Sequence, residues 1–312
     1  MNPVSILLPV RNGLKFLDKA KESLNQNCSN TDEILIINDG SDDGSENYLK
    51  KWKSEDKRVS VIQGGGNGLV NALNLGLKAA NNNWIARVDV DDTYSPERLR
   101  IQKQLITDDV VAIFSDYKFV GIQGANLGVI PSAIFAPAVS ISLISSQRTP
   151  HPSVMFNRNA VLSVGGYRIN DFPAEDLSLW LRLSRVGELT SAPSILLNYS
   201  LSPGSISLTN RESMHKKKKQ LITEIGVNES DVSKLLNNWE DYFYKYESFE
   251  YATQRKILLT KEINLIYKSR SGDKRELVKL YKNLIFSANS YREIAQLAFE
   301  KNRRNRYRTQ IQ

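Results

Sequence analysis

The chain has one cysteine, Cys28, among 312 residues. A lone thiol excludes an intramolecular disulfide and fits a reducing compartment, so a cytoplasmic location is expected. No run approaches the roughly 18 consecutive apolar residues that a spanning helix requires, and no membrane-spanning helix is expected. The N-terminus lacks a basic segment and a small-residue cleavage site. It enters Val4-Ser5-Ile6-Leu7-Leu8 directly, which reads as a strand and not as a secretory leader. No internal repeat is visible. The dinucleotide-binding glycine spacing is missing as well: Gly64, Gly66 and Gly68 do not match it, and the first strand-to-helix turn lacks it. Basic residues accompany no recognisable nucleic-acid motif, so nucleic acid is not an expected partner.

What remains is an ordinary globular composition, 41% apolar and 24% charged, long enough for one large domain or two smaller ones. The net charge of +8 is unevenly placed. Residues 1–208 carry 20 Lys and Arg against 21 Asp and Glu, whereas residues 209–312 carry 22 against 13. The excess gathers in Lys216-Lys217-Lys218-Lys219 and in the tail Lys301 to Arg308. Such patches attract anionic surfaces.

Apolar periodicity divides the first 90 residues into alternating strands and helices. Val4–Pro9, Glu33–Ile37, Val59–Ile62 and Trp84–Val88 read as strands; Leu14–Asn25, Ser45–Trp52 and Gly68–Ala80 read as helices. Alternation of this kind implies an α/β fold with a mostly parallel sheet, and ligands then bind beyond the carboxyl ends of the strands. Those ends carry Pro9-Val10-Arg11-Asn12-Gly13, Asn38-Asp39-Gly40-Ser41-Asp42, Gly64-Gly65-Gly66-Asn67-Gly68 and Asp89-Val90-Asp91-Asp92. Later strands are expected at Val110–Phe114, Lys118–Ile122, Met155–Phe156 and Ser194–Tyr199, with an amphipathic helix over Ala174–Arg185. Beyond Asn210 the pattern is helical: Met214–Ile225, Ser230–Tyr244, Gln254–Tyr267, Lys274–Phe286 and Ser290–Lys301. A boundary near Ser207 separates a mixed domain, 1–208, from a basic helical region, 209–312.

The run Asp89-Val90-Asp91-Asp92 is the most pointed of these turns. Three carboxylates against a strand end repel one another unless they are solvated, hydrogen-bonded or bridged by a cation. A hard divalent ion on carboxylates usually keeps positions that phosphate oxygens fill, so the run suggests a metal-diphosphate site.

Taken together, the blocks resemble family-2 glycosyltransferases of the GT-A fold. The likeness runs through Pro9–Gly13, Asn38–Asp43, Asn71–Gly76 and Ala86–Asp92, then His151–Phe156, Gly165-Gly166-Tyr167 and Glu175–Leu183. It covers about residues 3–208 and none of the last hundred. The resemblance implies a GT-A sheet with helices on both faces and transfer of a sugar from a nucleotide-diphosphate sugar to an acceptor hydroxyl with inversion. It further implies Mn2+ or Mg2+, with Asp91 as the direct ligand and Asp89 on the ribose or on the ion through water. Asp176 is implied as the general base. Pro9, Val10, Asn12, Asp39 and Arg87 would contact the nucleotide. Asp39 would accept the imide N–H of uracil, which favours a UDP-sugar, although thymine offers the same group. Asp92, His151, Glu175 and Trp180 are the candidates beside the donor or acceptor sugar.

Each assignment has a structural alternative. Asp39 in Asp-Gly is an ordinary turn former. Pro9 can end a strand and Asn12 can cap a helix. Gly65 and Asn67 lie in a loop that either approaches the nucleotide or is merely flexible. Asp92 can cap the helix at Ser95–Leu99, and Asp176 can pair with a helix N-terminus. His151 either lines the acceptor side or steadies its loop. Trp180 is on the apolar face, where core is the first reading and a sugar platform the second.

Members of this family often end the domain with Tyr-Arg and a His two residues beyond the Arg. Here Ser200 and Ser202 stand at those positions. Weaker metal or diphosphate binding would follow, or compensation by Arg11, Arg148 or the basic region. Three readings are therefore carried. The first is a metal-dependent transferase acting on a glycan or lipid-linked acceptor in surface polysaccharide assembly. The second is a sugar nucleotidyltransferase, and the third a nucleotide-sugar-binding protein without turnover. The basic helices would dock at the inner face of the membrane or form a solvated bundle or homo-oligomer contact.

Overall fold

A computed structural model of the chain describes residues 3–121, 126–130, 132, 143, 149–200 and 209–224. The expected helices from 230 onward, Ser202 and Arg148 lie outside these residues. The first of two compact units runs from Met1 to Leu221, and the account below concerns it alone.

Strand β1, Val4–Val10, is buried along its whole length, as is β2, Glu33–Asn38, after its first residue. Continuous apolar runs of this kind suit parallel strands covered on both faces. With β3, Val59–Gln63, and β4, Trp84–Arg87, they pair in parallel in the order β3-β2-β1-β4. The crossovers are helices α1, Leu14–Asn27, α2, Ser45–Glu55, and α3, Leu69–Ala79. Each buries one stripe: Leu17, Ala20 and Leu24 from α1, Leu49 and Trp52 from α2, and Val70, Leu73 and Leu77 from α3. A buried Leu or Val side chain contributes about 1.5–3 kcal/mol. Helix α3 approaches the sheet closely at Gly76, where an added Cβ would lie 2.1 Å from Leu7 Cδ1.

The sheet continues past β4 through β8, Met155–Asn157, then β6, Val110–Val120, β9, Glu188–Ser200, and β5, Thr93–Tyr94. Strand β8 is antiparallel to both neighbours, β6 and β9 are parallel, and β7, Asn126–Ile130, pairs antiparallel with β6. The α/β expectation thus holds, with a mixed second half.

Two differences have physical causes. The strands expected at 110–114 and 118–122 are one, because the intervening Asp116 is satisfied within the fold. Its Oδ1 accepts from the Ser132 N–H at 3.0 Å and from the Ser132 hydroxyl at 3.2 Å. Strand β9 begins six residues earlier than the expected Ser194, passing through Pro193. Its register against β6 shifts there, from Ala192 opposite Ser115 to Ile195 opposite Asp116. A proline without an N–H is tolerated at such a bulge.

Candidate active site

The carboxyl ends of β1, β2 and β3 form one wall. The Asp39 N–H donates to the Val10 carbonyl at 2.8 Å, and the Gly64 N–H to the Asn38 carbonyl at 2.8 Å. Pro9 and Val10 are buried at the end of β1. Asp39 is 3% exposed. One oxygen, Oδ2, accepts from the Gly68 N–H at 3.0 Å and stands 4.0 Å from Arg11 Nη1. The other, Oδ1, is enclosed without a partner. A buried acceptor left open in this way is costly and marks a place where a ligand N–H can bind. Gly64 keeps the approach clear, since a Cβ there would sit 3.1 Å from that oxygen.

The neighbouring turns are tied together by their own side chains. Asn67 Nδ2 donates to the Gly64 carbonyl at 3.1 Å, closing the turn that holds Gly65. Asn12 has φ of 53°, and its Oδ1 accepts from the Asp42 N–H at 2.9 Å. Asn12 therefore does not cap α1, whose capping residue is Gly13.

Strand β4 ends at Arg87 and delivers the acidic run. Ligand oxygens of Asp89, Asp91 and Asp92 lie within 4.8 Å of one another. Asp92 is 2% exposed; its Oδ1 accepts from the Ser200 N–H at 2.7 Å, and its Oδ2 is enclosed without a partner. Burial, then Asp89 and Asp91, push its carboxyl well above the usual range. The expected alternative, that Asp92 caps the next helix, is not realised. Helix α4, Arg98–Lys103, starts behind Glu97 and has no side-chain cap. Hard carboxylate oxygens with one buried atom unpartnered are the donor set that a divalent cation satisfies.

Arg87 is 3% exposed and pairs with Asp89. Burial works against its charge, but Asp89 and its neighbours raise it above the usual arginine range. Behind this pair stands Arg98, which the fold buries at 1% exposure. Its Nη2 donates to the Arg87 carbonyl at 2.9 Å and to the Val154 carbonyl at 3.1 Å, and its guanidinium lies 4.5 Å from the Tyr94 ring. Tyr94 accepts the Asp89 N–H at 2.7 Å. Burial lowers Arg98 to about 10, so it remains a cation at neutral pH. No local sequence signal marks Arg98 or Tyr94 as supports of the acidic run.

The second group of candidate carboxylates stands at the start of helix Glu175–Leu183. Glu175 is 5% exposed with Oε2 enclosed and unpartnered, and burial plus Asp176 push it up to about 7. Asp176 is partly buried, and its Oδ1 accepts from the Leu177 N–H at 2.7 Å. Burial raises it as well, while Lys218 and Arg87 act in the other direction. A raised carboxyl is better matched to proton transfer than one held low by the helix dipole.

His151 is 8% exposed, with Nε2 2.7 Å from the Tyr167 hydroxyl, and burial followed by Arg87 keeps it neutral. Tyr167 is held by Asn74 of α3: Asn74 Nδ2 donates to its carbonyl at 2.8 Å, and its N–H donates to Asn74 Oδ1 at 3.0 Å. Trp180 takes the first of its two readings, and its place among the sugar-side candidates is corrected. It is 0% exposed, edge-on to Phe114 at 5.2 Å and to His151 at 5.7 Å, so it backs the wall and offers no platform to a sugar.

Arg87 links the two groups of carboxylates through its charge. It pairs with Asp89, and its charge also bears on His151, Glu175 and Asp176. Asp89 in turn bears on Glu175. The acidic run and the helix start thus share one electrostatic neighbourhood.

The chain is similar to known proteins in family and in fold. The chain is 27% identical over 237 residues to an uncharacterised glycosyltransferase of Haemophilus influenzae, covering 71% of this chain and 72% of that one. It is 24% identical over 266 residues to chondroitin synthase of Pasteurella multocida, covering 84% of this chain but only 27% of that protein. An amylovoran biosynthesis glycosyltransferase of Erwinia amylovora is 27% identical over 199 residues, 62% of this chain and 74% of that one. Among solved structures, S. aureus TarS 1-349 in complex with UDP-GlcNAc superposes with a TM-score of 0.59 at 15% identity, covering 98% of this chain and 92% of that one. A Pyrobaculum calidifontis mannosyltransferase in complex with GDP-Man and Mn2+ gives 0.58 at 12% identity, covering 97% and 87%. These likenesses establish the GT-A fold. The family model for glycosyl transferase family 2 matches residues 5–161, a span that contains all four strand tips and the acidic run, and the chain belongs to that family.

Proposed function

We propose that the protein transfers a sugar from a nucleotide-diphosphate sugar, a UDP-sugar being favoured, to an acceptor hydroxyl with inversion at the anomeric carbon. The observation that carries this reading is the pairing of an acidic run with a raised carboxyl, Asp176, around Arg87. In the proposed reaction Asp39 Oδ1 accepts the imide N–H of the base, with Pro9, Val10, Asn12, Gly65 and Asn67 shaping the pocket. Asp89 and Arg87 face the ribose and phosphate side. The acceptor oxygen attacks the anomeric carbon, its proton passes to Asp176, and the bond from that carbon to the diphosphate breaks on the opposite face. Glu175 and His151 position the reacting groups. Asp91, with Asp89 and Asp92 beside it, would hold Mn2+ or Mg2+, which when bound neutralises charge developing on the departing diphosphate.

Glycan-assembly relatives support a role in surface polysaccharide or lipid-linked glycan synthesis, with a glycan or lipid-linked acceptor. A nucleotidyltransferase is less well supported, because the turn after β1 offers only Arg11 to a triphosphate. Loss of turnover with retained binding is the second reading, favoured by Ser200 and Ser202 in place of Arg and His. Thermal shift with a panel of nucleoside diphosphates, with and without Mn2+, tests the proposal. Stabilisation by UDP that depends on Mn2+ is expected, and no response to any nucleotide would overturn it. Donor turnover by wild type and its loss in Asp176→Asn separates the enzyme from a binding protein.

A further inference from the structure

Three carboxylates held close together push one another apart when no cation joins them. The acidic run resists this through its main chain. The Val88 N–H donates to the Leu7 carbonyl at 3.1 Å, which ties the start of the run to β1. The Asp92 N–H turns back to the Asp89 carbonyl at 3.4 Å, and the Asp92 side chain accepts from Ser200. Val90, the one apolar residue of the run, packs at the end of β1. A Cβ on Gly13 would stand 3.2 Å from each of its two methyls.

The Asp89 N–H lies beyond the end of β4 and has no strand partner. Its acceptor is the Tyr94 hydroxyl at 2.7 Å. Tyr94 is 5% exposed and is fixed by three elements that carry none of the three carboxylates. Its N–H donates to Ser23 Oγ of α1 at 2.9 Å. It pairs with Leu197 of β9, and the adjoining Thr93 Oγ1 accepts from Asn198 Nδ2 at 3.0 Å. The guanidinium of Arg98, the first residue of α4, lies 4.5 Å from its ring. Packing alone requires the ring. The hydroxyl is the atom that reaches the acidic run.

We propose that Tyr94 is a positioning residue for the cation site: its hydroxyl holds the Asp89 main chain so that the carboxylates of Asp89, Asp91 and Asp92 stand together before a cation binds. The proposal rests on reading the acidic run as that site. Ligands already in place pay less ordering entropy on binding, and groups that orient metal ligands govern affinity without touching the ion. Loss of the hydroxyl therefore weakens the site although every carboxylate remains.

The test needs no sugar donor or acceptor. Mn2+ is titrated into the metal-free, full-length protein, and the free ion is read by electron paramagnetic resonance. Asp91→Asn assigns the site. Tyr94→Phe keeps the ring and is expected to weaken Mn2+ binding at least about tenfold. Hydrogen exchange of the Asp89 amide, followed by NMR, should quicken at least about tenfold in the same variant. Tyr48→Phe deletes a hydroxyl bound to Asp18 Oδ1 at 2.7 Å, away from the run, and should change neither reading. Near-UV circular dichroism checks that each variant is folded. If Tyr94→Phe is not, Ser23→Ala carries the test, since it frees the Tyr94 main chain and should weaken Mn2+ binding in the same direction. Wild-type Mn2+ affinity in the folded variant, or an equal loss in Tyr48→Phe, overturns the proposal. If Asp91→Asn binds Mn2+ as wild type does, the reading of the run as a cation site fails and this proposal with it. If Asp91→Asn loses the ion and Tyr94→Phe does not, the role of Tyr94 alone falls.

Discussion

Ser200 donates its backbone N–H to Oδ1 of Asp92 at 2.7 Å, joining residues 108 positions apart at the centre of the site. Ser200 thus contributes through its main chain. Asp92 is left with one oxygen satisfied and one enclosed and open. Asp92→Asn keeps an acceptor for Ser200 and removes a buried charge. Its metal-free melting temperature should exceed that of wild type at neutral pH, because a carboxyl raised on folding costs stability as it ionises. The stabilisation that Mn2+ gives wild type should shrink in the variant. Differential scanning calorimetry with and without Mn2+ measures both.

Glu175 gives the clearest pH dependence. Its carboxyl is raised from 4.5 to about 7 in the folded chain. An acid raised on folding favours the folded state while protonated, and that contribution is lost as pH climbs through the folded value. Glu175→Gln removes the effect. The variant should match wild type below about pH 4.5 and gain up to about 3 kcal/mol over it by pH 8. Urea unfolding of the two proteins across this range gives the difference directly.

The contact between His151 Nε2 and the Tyr167 hydroxyl, at 2.7 Å, is enclosed on all sides. Tyr167→Phe leaves the imidazole without its partner and should cost about 1–3 kcal/mol. His151→Phe combined with Tyr167→Phe should cost less than the sum of the single changes. A double-mutant cycle by chemical denaturation reads the coupling.

Gly64→Ala would place a methyl 3.1 Å from Asp39 Oδ1. That is the oxygen assigned to the base imide. UDP affinity should fall at least about tenfold, roughly 1.4 kcal/mol, while the response to Mn2+ alone is unchanged. Isothermal titration calorimetry separates the two. Equal affinity in the variant would remove Asp39 from the nucleotide site.

Much of this architecture is visible in the residue pattern. The alternation of Val4–Pro9, Glu33–Ile37, Val59–Ile62 and Trp84–Val88 with helices sets the parallel half of the sheet, because the three inner strands are buried on both faces and the crossovers are short. The acidic run is visible for a related reason, since three carboxylates at a strand end have few structural uses. Long-range satisfaction is not visible. Asp116 interrupts an apolar run, and only its distant partner Ser132 explains why the strand continues. Arg98 and Gln102 resemble solvent-facing helix residues. They are buried because Arg98 donates to the Arg87 and Val154 carbonyls, while Gln102 Nε2 donates to the Ile113 and Ser153 carbonyls.

Anomalous diffraction from crystals grown with UDP and Mn2+ tests the central claim most directly. The account predicts a manganese peak among Asp89, Asp91 and Asp92, with the uracil ring on Asp39 and the diphosphate on the side facing Asp176. Nucleotide density elsewhere on the chain, or manganese bound away from those three carboxylates, would contradict it.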